Sequence, residues 1–112
     1  RIRASGVFAA NNNNKRVRLT VGGIVIADSL IVTLNNVAWV IDGDVMALNT
    51  TAVLCEGRFQ ANGLAAPIVT LLPNVGIADL SSTITAVNVT GWSPTTGAAF
   101  DVVLNRVKIW ME

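Results

Sequence analysis

The sequence predicts an all-β fold, an antiparallel sandwich or barrel of about eight short strands. Three observations predict it. Turn signals recur about every ten residues along the whole chain. The segments between them are rich in Val, Ile, Thr and Leu, the residues that suit a pleated, half-buried surface. Several of those segments alternate apolar and polar with period two, as a strand does when one face is buried and the other is wet. Helical signals are weak: the stretch 61–72 holds Pro67 and β-branched residues, which disfavour a long helix.

Taken in order, the strands are expected at 1–8, 15–21, 23–27, 29–34, 37–46, 51–60, 80–90 and 99–111, and 64–73 is a candidate ninth. The run Asn11 to Asn14 reads as a hairpin connection between the first two strands, since asparagine tolerates positive φ and bonds its own backbone. In 15–21, Val17, Leu19 and Val21 share one face, and Arg16, Arg18 and Thr20 the other. Gly22-Gly23 then makes a turn. In 38–45, Trp39, Ile41 and Val45 oppose Asp42 and Asp44; in 53–59, Val53, Cys55 and Phe59 oppose Leu54, Glu56 and Arg58. Near the end, Val103, Val107 and Ile109 alternate with Arg106 and Lys108. Phe8 and Trp39 are expected core anchors, because one buried aromatic contributes a large apolar area.

The 112 residues fit one domain, 1–112. Apolar residues make up 52% of them and charged residues 13%, about half the usual charged share. A small charge-poor domain is either a compact β-domain with Thr/Asn-rich outer faces or an oligomer whose interfaces cover apolar faces, and the second reading is favoured. The stretch 24–34 sharpens it, with Val25 and Ile31 opposing an otherwise core-like set and so forming a candidate oligomer face. No apolar stretch reaches the ~18 residues of a membrane span. The chain opens on Arg1-Ile2-Arg3, which reads as strand, without an initiating Met or a signal peptide; it is expected to be a trimmed part of a longer polypeptide.

The composition argues against catalysis. There is no histidine, so Cys55 lacks its usual base and is expected to be a small core residue. Zinc would need Cys and His ligands that are missing, and Asp42 with Asp44 is too few for calcium. The acids Asp42, Asp44, Glu56, Asp79 and Asp101 are scattered, whereas acid–base work needs a pair in a cleft. Gly22-Gly23 is no phosphate-binding loop. No enzyme, cofactor or metal is expected. Two features are candidates for binding. Arg1, Arg3, Lys15, Arg16 and Arg18 are five of the eight basic residues. If the first two strands pair, they form one positive patch, to be weighed against a solvated strand face. Without interleaved aromatics, that patch does not favour nucleic acid. Trp92, in the turn-like Thr90-Gly91-Trp92-Ser93-Pro94, is the candidate glycan or interface contact, balanced against a role closing the end of the sandwich. Asn49-Thr50-Thr51 and Asn88-Val89-Thr90 are formal glycosylation sequons, relevant only in a eukaryotic secretory context.

The segment Gly6-Val7-Phe8-Ala9, the Asn-rich turn, Lys15-Arg16-Val17-Arg18-Leu19 and Gly22-Gly23 together resemble a family of small β-domains in structural proteins of tailed bacteriophages. The likeness continues through Ala27-Asp28-Ser29, Asn35 to Trp39 and Ile41, and Val107 to Trp110, but little matches between Met46 and Pro73. The resemblance implies a jelly-roll β-sandwich, a homotrimer among other virion proteins, and a place on the extracellular surface of a phage particle as a decoration, fibre or attachment component. A carbohydrate-binding module recognising a cell-surface glycan is the alternative.

Overall fold

The computed structural model describes residues 1–49, 52–76, 87–93 and 101–110. They form eight strands: β1 (Ile2–Phe8), β2 (Arg16–Val21), β3 (Ile24–Asp28), β4 (Ala38–Asn49), β5 (Ala52–Ala61), β6 (Ile68–Gly76), β7 (Val87–Trp92) and β8 (Val102–Ile109). Two antiparallel sheets pack face to face, a five-stranded one in the order β6-β5-β4-β1-β8 and a three-stranded one in the order β3-β2-β7. Among the described residues there is no helix long and apolar enough to cross a membrane.

The core lies between the sheets, where the period-two alternation delivers it. Ile2, Ala4 and Phe8 of β1, Val17, Leu19 and Val21 of β2, Trp39 and Ile41 of β4, and Val53, Cys55 and Phe59 of β5 are all buried. Phe8 sits at its centre, its ring 6.2 Å from both Trp39 and Phe59 in tilted contacts. Burial pushes the Cys55 thiol above its ordinary pKa. The sheets approach closely where Gly43 and Gly57 face each other across β4 and β5. A Cβ on Gly57 would stand 1.7 Å from the carbonyl oxygen of Ile26, so β3 lies directly on this glycine. A β-bulge in β3 makes that contact possible. Leu19 pairs with Ala27 and Thr20 with Val25, leaving Ile26 as the extra residue, and both Ile26 and Ala27 are buried.

Two expectations need correction. The first two strands do not form a hairpin: β1 pairs with β4 and β8, whereas β2 pairs with β3 and β7. The Asn run therefore crosses from one sheet to the other, a gap of about 10 Å in sandwiches. The stretch 29–34 is not a strand. The chain turns out of β3 at Leu30, whose φ is +57°, and residue 32 makes only an isolated bridge with Lys15. The turn is local chemistry: Asp28 Oδ1 accepts the Leu30 N–H at 2.8 Å, and the Ser29 hydroxyl accepts the Val17 N–H at 2.8 Å while donating to the Leu30 carbonyl at 2.7 Å. The candidate stretch 64–73 does yield a strand, β6, at a sheet edge where Pro73 is tolerated because the β5·β6 ladder shifts register opposite it. Gly22 and Gly23, with φ of +56° and +82°, make the tight β2–β3 turn that the right-handed twist favours.

Candidate functional site

The expected basic patch does not exist as one surface. Its five members separate into three places. Arg1 and Arg3 belong to the large sheet: Arg1 Nε lies 3.6 Å from Asp44, its guanidinium 5.8 Å from the Trp110 ring, and Arg3 stands between Asp42 and Lys108 in the strand register. Lys15 is fully buried. Its Nζ donates to the carbonyls of Asn11, Asn13 and Leu34 at 2.9, 3.0 and 3.1 Å, so the ammonium holds the Asn turn from inside. Beside it, buried Asp101 accepts from Asn11 Nδ2 at 2.6 Å, Asn13 Nδ2 at 3.1 Å and Ser93 Oγ at 2.7 Å. The amide of Asn11, the hydroxyl of Ser93, the amide of Asn13 and the nearby Lys15 charge hold the Asp101 carboxyl below the usual range despite its desolvation. This knot ties the inter-sheet crossing to the end of β7 and the start of β8; it is structural.

Arg16 and Arg18 occupy the outer face of the small sheet, and there the register builds a site. Arg16 faces Trp92, Arg18 faces Thr90 on one side and Asp28 on the other. Arg16 grips Asp28 with two parallel bonds, Nε to Oδ1 at 2.9 Å and Nη2 to Oδ2 at 2.6 Å, and Arg18 Nε donates to the same Oδ2 at 3.1 Å. Desolvation would raise the Asp28 carboxyl, but the bonds from Arg16, the Leu30 amide and Arg18 outweigh it and hold the carboxyl below its ordinary value. The same carboxylate raises the Arg16 guanidinium through its hydrogen bond. Arg16, Arg18, Thr90, Gly91 and Trp92 line a concave surface of about 350 Å³. Two guanidiniums share one carboxylate, so the concavity carries an excess positive charge beside an indole that is 46% exposed.

The sequence singled out Trp92, Arg16 and Arg18 separately; the fold brings them together and excludes Lys15, Arg1 and Arg3. It missed Asp28 and Thr90 as site residues, because their relation to the arginines depends on pairing between distant strands. Of the proposed oligomer face, Val25 is half-buried opposite Thr20, and Ile31 is exposed outside any strand. The two-faced apolar strand that motivated the pair is divided by the Leu30 turn. A row of exposed apolar residues stands elsewhere, on the outer face of the large sheet: Met46 faces Leu54, and Leu71 and Val69 of β6 continue the row beside Glu56 and Arg58. A second concavity of about 370 Å³ on that sheet, bordered by Ala38, Val40, Gln60 and the 62–67 loop, has no charged lining residue.

No group of three potential metal ligands occurs among the described residues. Asp44 faces Glu56 across β4 and β5 on the open outer face of the sheet, with Arg1 and Arg58 as ionic neighbours. Asp79, and Thr50 and Thr51 of the first sequon, lie outside the described residues.

Comparison with known proteins returned no match, whether to a family model, a curated protein or a solved structure. The likeness to phage β-domains rests on the sequence motifs alone.

Proposed function

We propose that this chain is a non-enzymatic structural domain of a bacteriophage virion, a jelly-roll sandwich that packs as a trimer on the particle surface. The observation that carries the assembly is the apolar corner of the large sheet, where Met46, Leu54, Val69 and Leu71 are 61%, 38%, 50% and 68% exposed. On a chain with only 13% charged residues, such a corner is the kind of surface that subunits cover. The jelly-roll reading draws support from nested pairing: β1 with β8, β2 with β7 and β4 with β5 are the ladders made by a chain doubled back on itself. The hairpin pairs β2·β3 in the small sheet and β5·β6 in the large one, and β4 beside β1, are departures from that scheme. The motif likeness supplies the phage context and the three-fold symmetry.

Light scattering on the purified domain tests the assembly. The expected result is three times the chain mass, reduced to one by Leu71→Glu, which sets a charge in the apolar corner without touching the core. A wild-type monomer at micromolar concentration refutes the trimer. A second reading, recognition of a surface glycan, is favoured by one specific observation: the exposed Trp92 beside two guanidiniums in a concave surface.

A further inference from the structure

We infer that the Arg16–Arg18–Trp92 concavity binds an acidic sugar, with the carboxylate on Arg18 and the sugar ring on the Trp92 indole; the inference rests on the glycan reading above. Four features of the site point the same way. First, the donors are fixed in advance. Asp28 holds Arg16 by a two-pronged contact and Arg18 by its Nε, and is itself anchored by the Leu30 amide. A guanidinium already held in place loses little side-chain freedom on meeting an anion. Second, the site is not neutralised. One carboxylate serves two guanidiniums, and Arg18, whose side chain is 41% exposed, has no partner among the described residues for its terminal nitrogens. Those nitrogens offer parallel N–H groups in the geometry that suits a carboxylate.

Third, the aromatic sits at the right place. Trp92 is directly across the ladder from Arg16 and one outward position along from Thr90. An exposed indole offers a flat apolar face to the C–H face of a pyranose, and Thr90, next to it on the outward face of β7, stands directly opposite Arg18. Fourth, the volume of about 350 Å³ is at the small end of ligand sites and fits one or two sugar rings. A nucleic-acid strand fits less well: it calls for a track of cations with several stacking aromatics, and this face has one indole and one surplus charge.

Isotope-labelled protein titrated with oligogalacturonate, followed by NMR, tests the inference, with neutral oligogalactose and oligothymidylate as parallel probes. Oligogalacturonate is expected to shift the Trp92 indole and Arg18 Nε–H signals and to leave the buried Trp39 indole unmoved. Arg18→Gln and Trp92→Ala should each weaken binding at least about tenfold, the loss that follows from one charge-assisted hydrogen bond or one stacking contact. The wild-type shifts locate the site even if a variant folds poorly. Binding of oligogalactose as tight as that of oligogalacturonate and indifferent to Arg18→Gln would keep the glycan reading and overturn the acidic one. Binding of neither sugar overturns both. Tighter binding of oligothymidylate at the same residues overturns the choice of ligand class.

Discussion

Replacing Lys15 with methionine asks whether the inter-sheet crossing is held from within. Methionine keeps most of the length and the apolar stem but removes the ammonium. The carbonyls of Asn11, Asn13 and Leu34 then lose donors now at 2.9, 3.0 and 3.1 Å. A hydrogen bond to a charged group contributes about 1.5–3 kcal/mol net, so three in full would amount to about 4.5–9 kcal/mol. Two effects offset that sum. The three acceptor residues are only half-buried, so water reaches their carbonyls once the turn loosens. The variant also no longer desolvates a charge. The expected loss is about 3 kcal/mol, at the low end of what breaking a buried charge contact costs. In a domain of this length that lowers the melting midpoint by about 10–15 °C. Urea unfolding followed by circular dichroism should give the same loss with an unchanged m-value. Arg3→Met, at an exposed position of β1, is the control and should stay within about 0.5 kcal/mol of the parent. A Lys15→Met variant as stable as that control would refute the internal tether.

Two further outcomes follow from the packing and the titrating groups. Gly57→Ala would place a Cβ 1.7 Å from the Ile26 carbonyl oxygen and 2.5 Å from its carbonyl carbon, forcing the sheets apart, and should cost more than Gly43→Ala, whose Cβ meets the movable Ile26 Cδ1 at 2.6 Å. Ordinary overpacking costs about 1–3 kcal/mol, and Gly57→Ala should exceed it; urea midpoints in the reverse order would sink the argument. Acid is the other lever. Asp28 and Asp101 both titrate below their ordinary range when folded, so the unfolded chain binds more protons as pH falls. Their stabilisation is present above the unfolded carboxylate pKa of about 3.9 and is lost as pH drops further, through the folded values. Chemical unfolding at a series of pH values should show that decline, smaller in Asp28→Asn; stability that rises on acidification would contradict it.

Much of the architecture was legible because it is local. Alternation placed Val17, Leu19, Val21, Trp39, Ile41, Val53, Cys55 and Phe59 on inward faces, and all are buried. The Gly22-Gly23 turn was legible from glycine's access to positive φ. What the pattern could not supply was sheet membership. Two neighbouring strands joined by an Asn-rich turn look the same in sequence whether they pair or cross between sheets. The stretch 29–34 misled for a related reason. Its β-branched residues favour a strand, but side-chain bonds from Asp28 and Ser29 offer the backbone a competing turn. The binding concavity was half legible: each of Trp92, Arg16 and Arg18 drew notice by type, and their meeting depends on the β2·β7 register.

Lys15 shows how two sequence rules can conflict and which prevails. By type, a lysine belongs outside, since desolvating an unpaired charge is costly. By parity, position 15 falls in step with Val17, Leu19 and Val21, the inward set of β2, and out of step with Arg16 and Arg18. Parity won because of where along the strand the residue lies. It stands just before β2, at the end of the sandwich, where the crossing chain brings unpaired carbonyls within reach of a long flexible stem. An arginine there would carry a wide planar fork that three convergent carbonyls do not match; a compact ammonium with three donors matches them. The same one-residue step sends Arg16 and Arg18 to the opposite face, where Asp28 and Trp92 await them. A cluster of basic residues close in sequence thus divides into a tether and a binding surface. Strand parity, read together with distance from the sheet end, was the signal in the sequence that could have separated them.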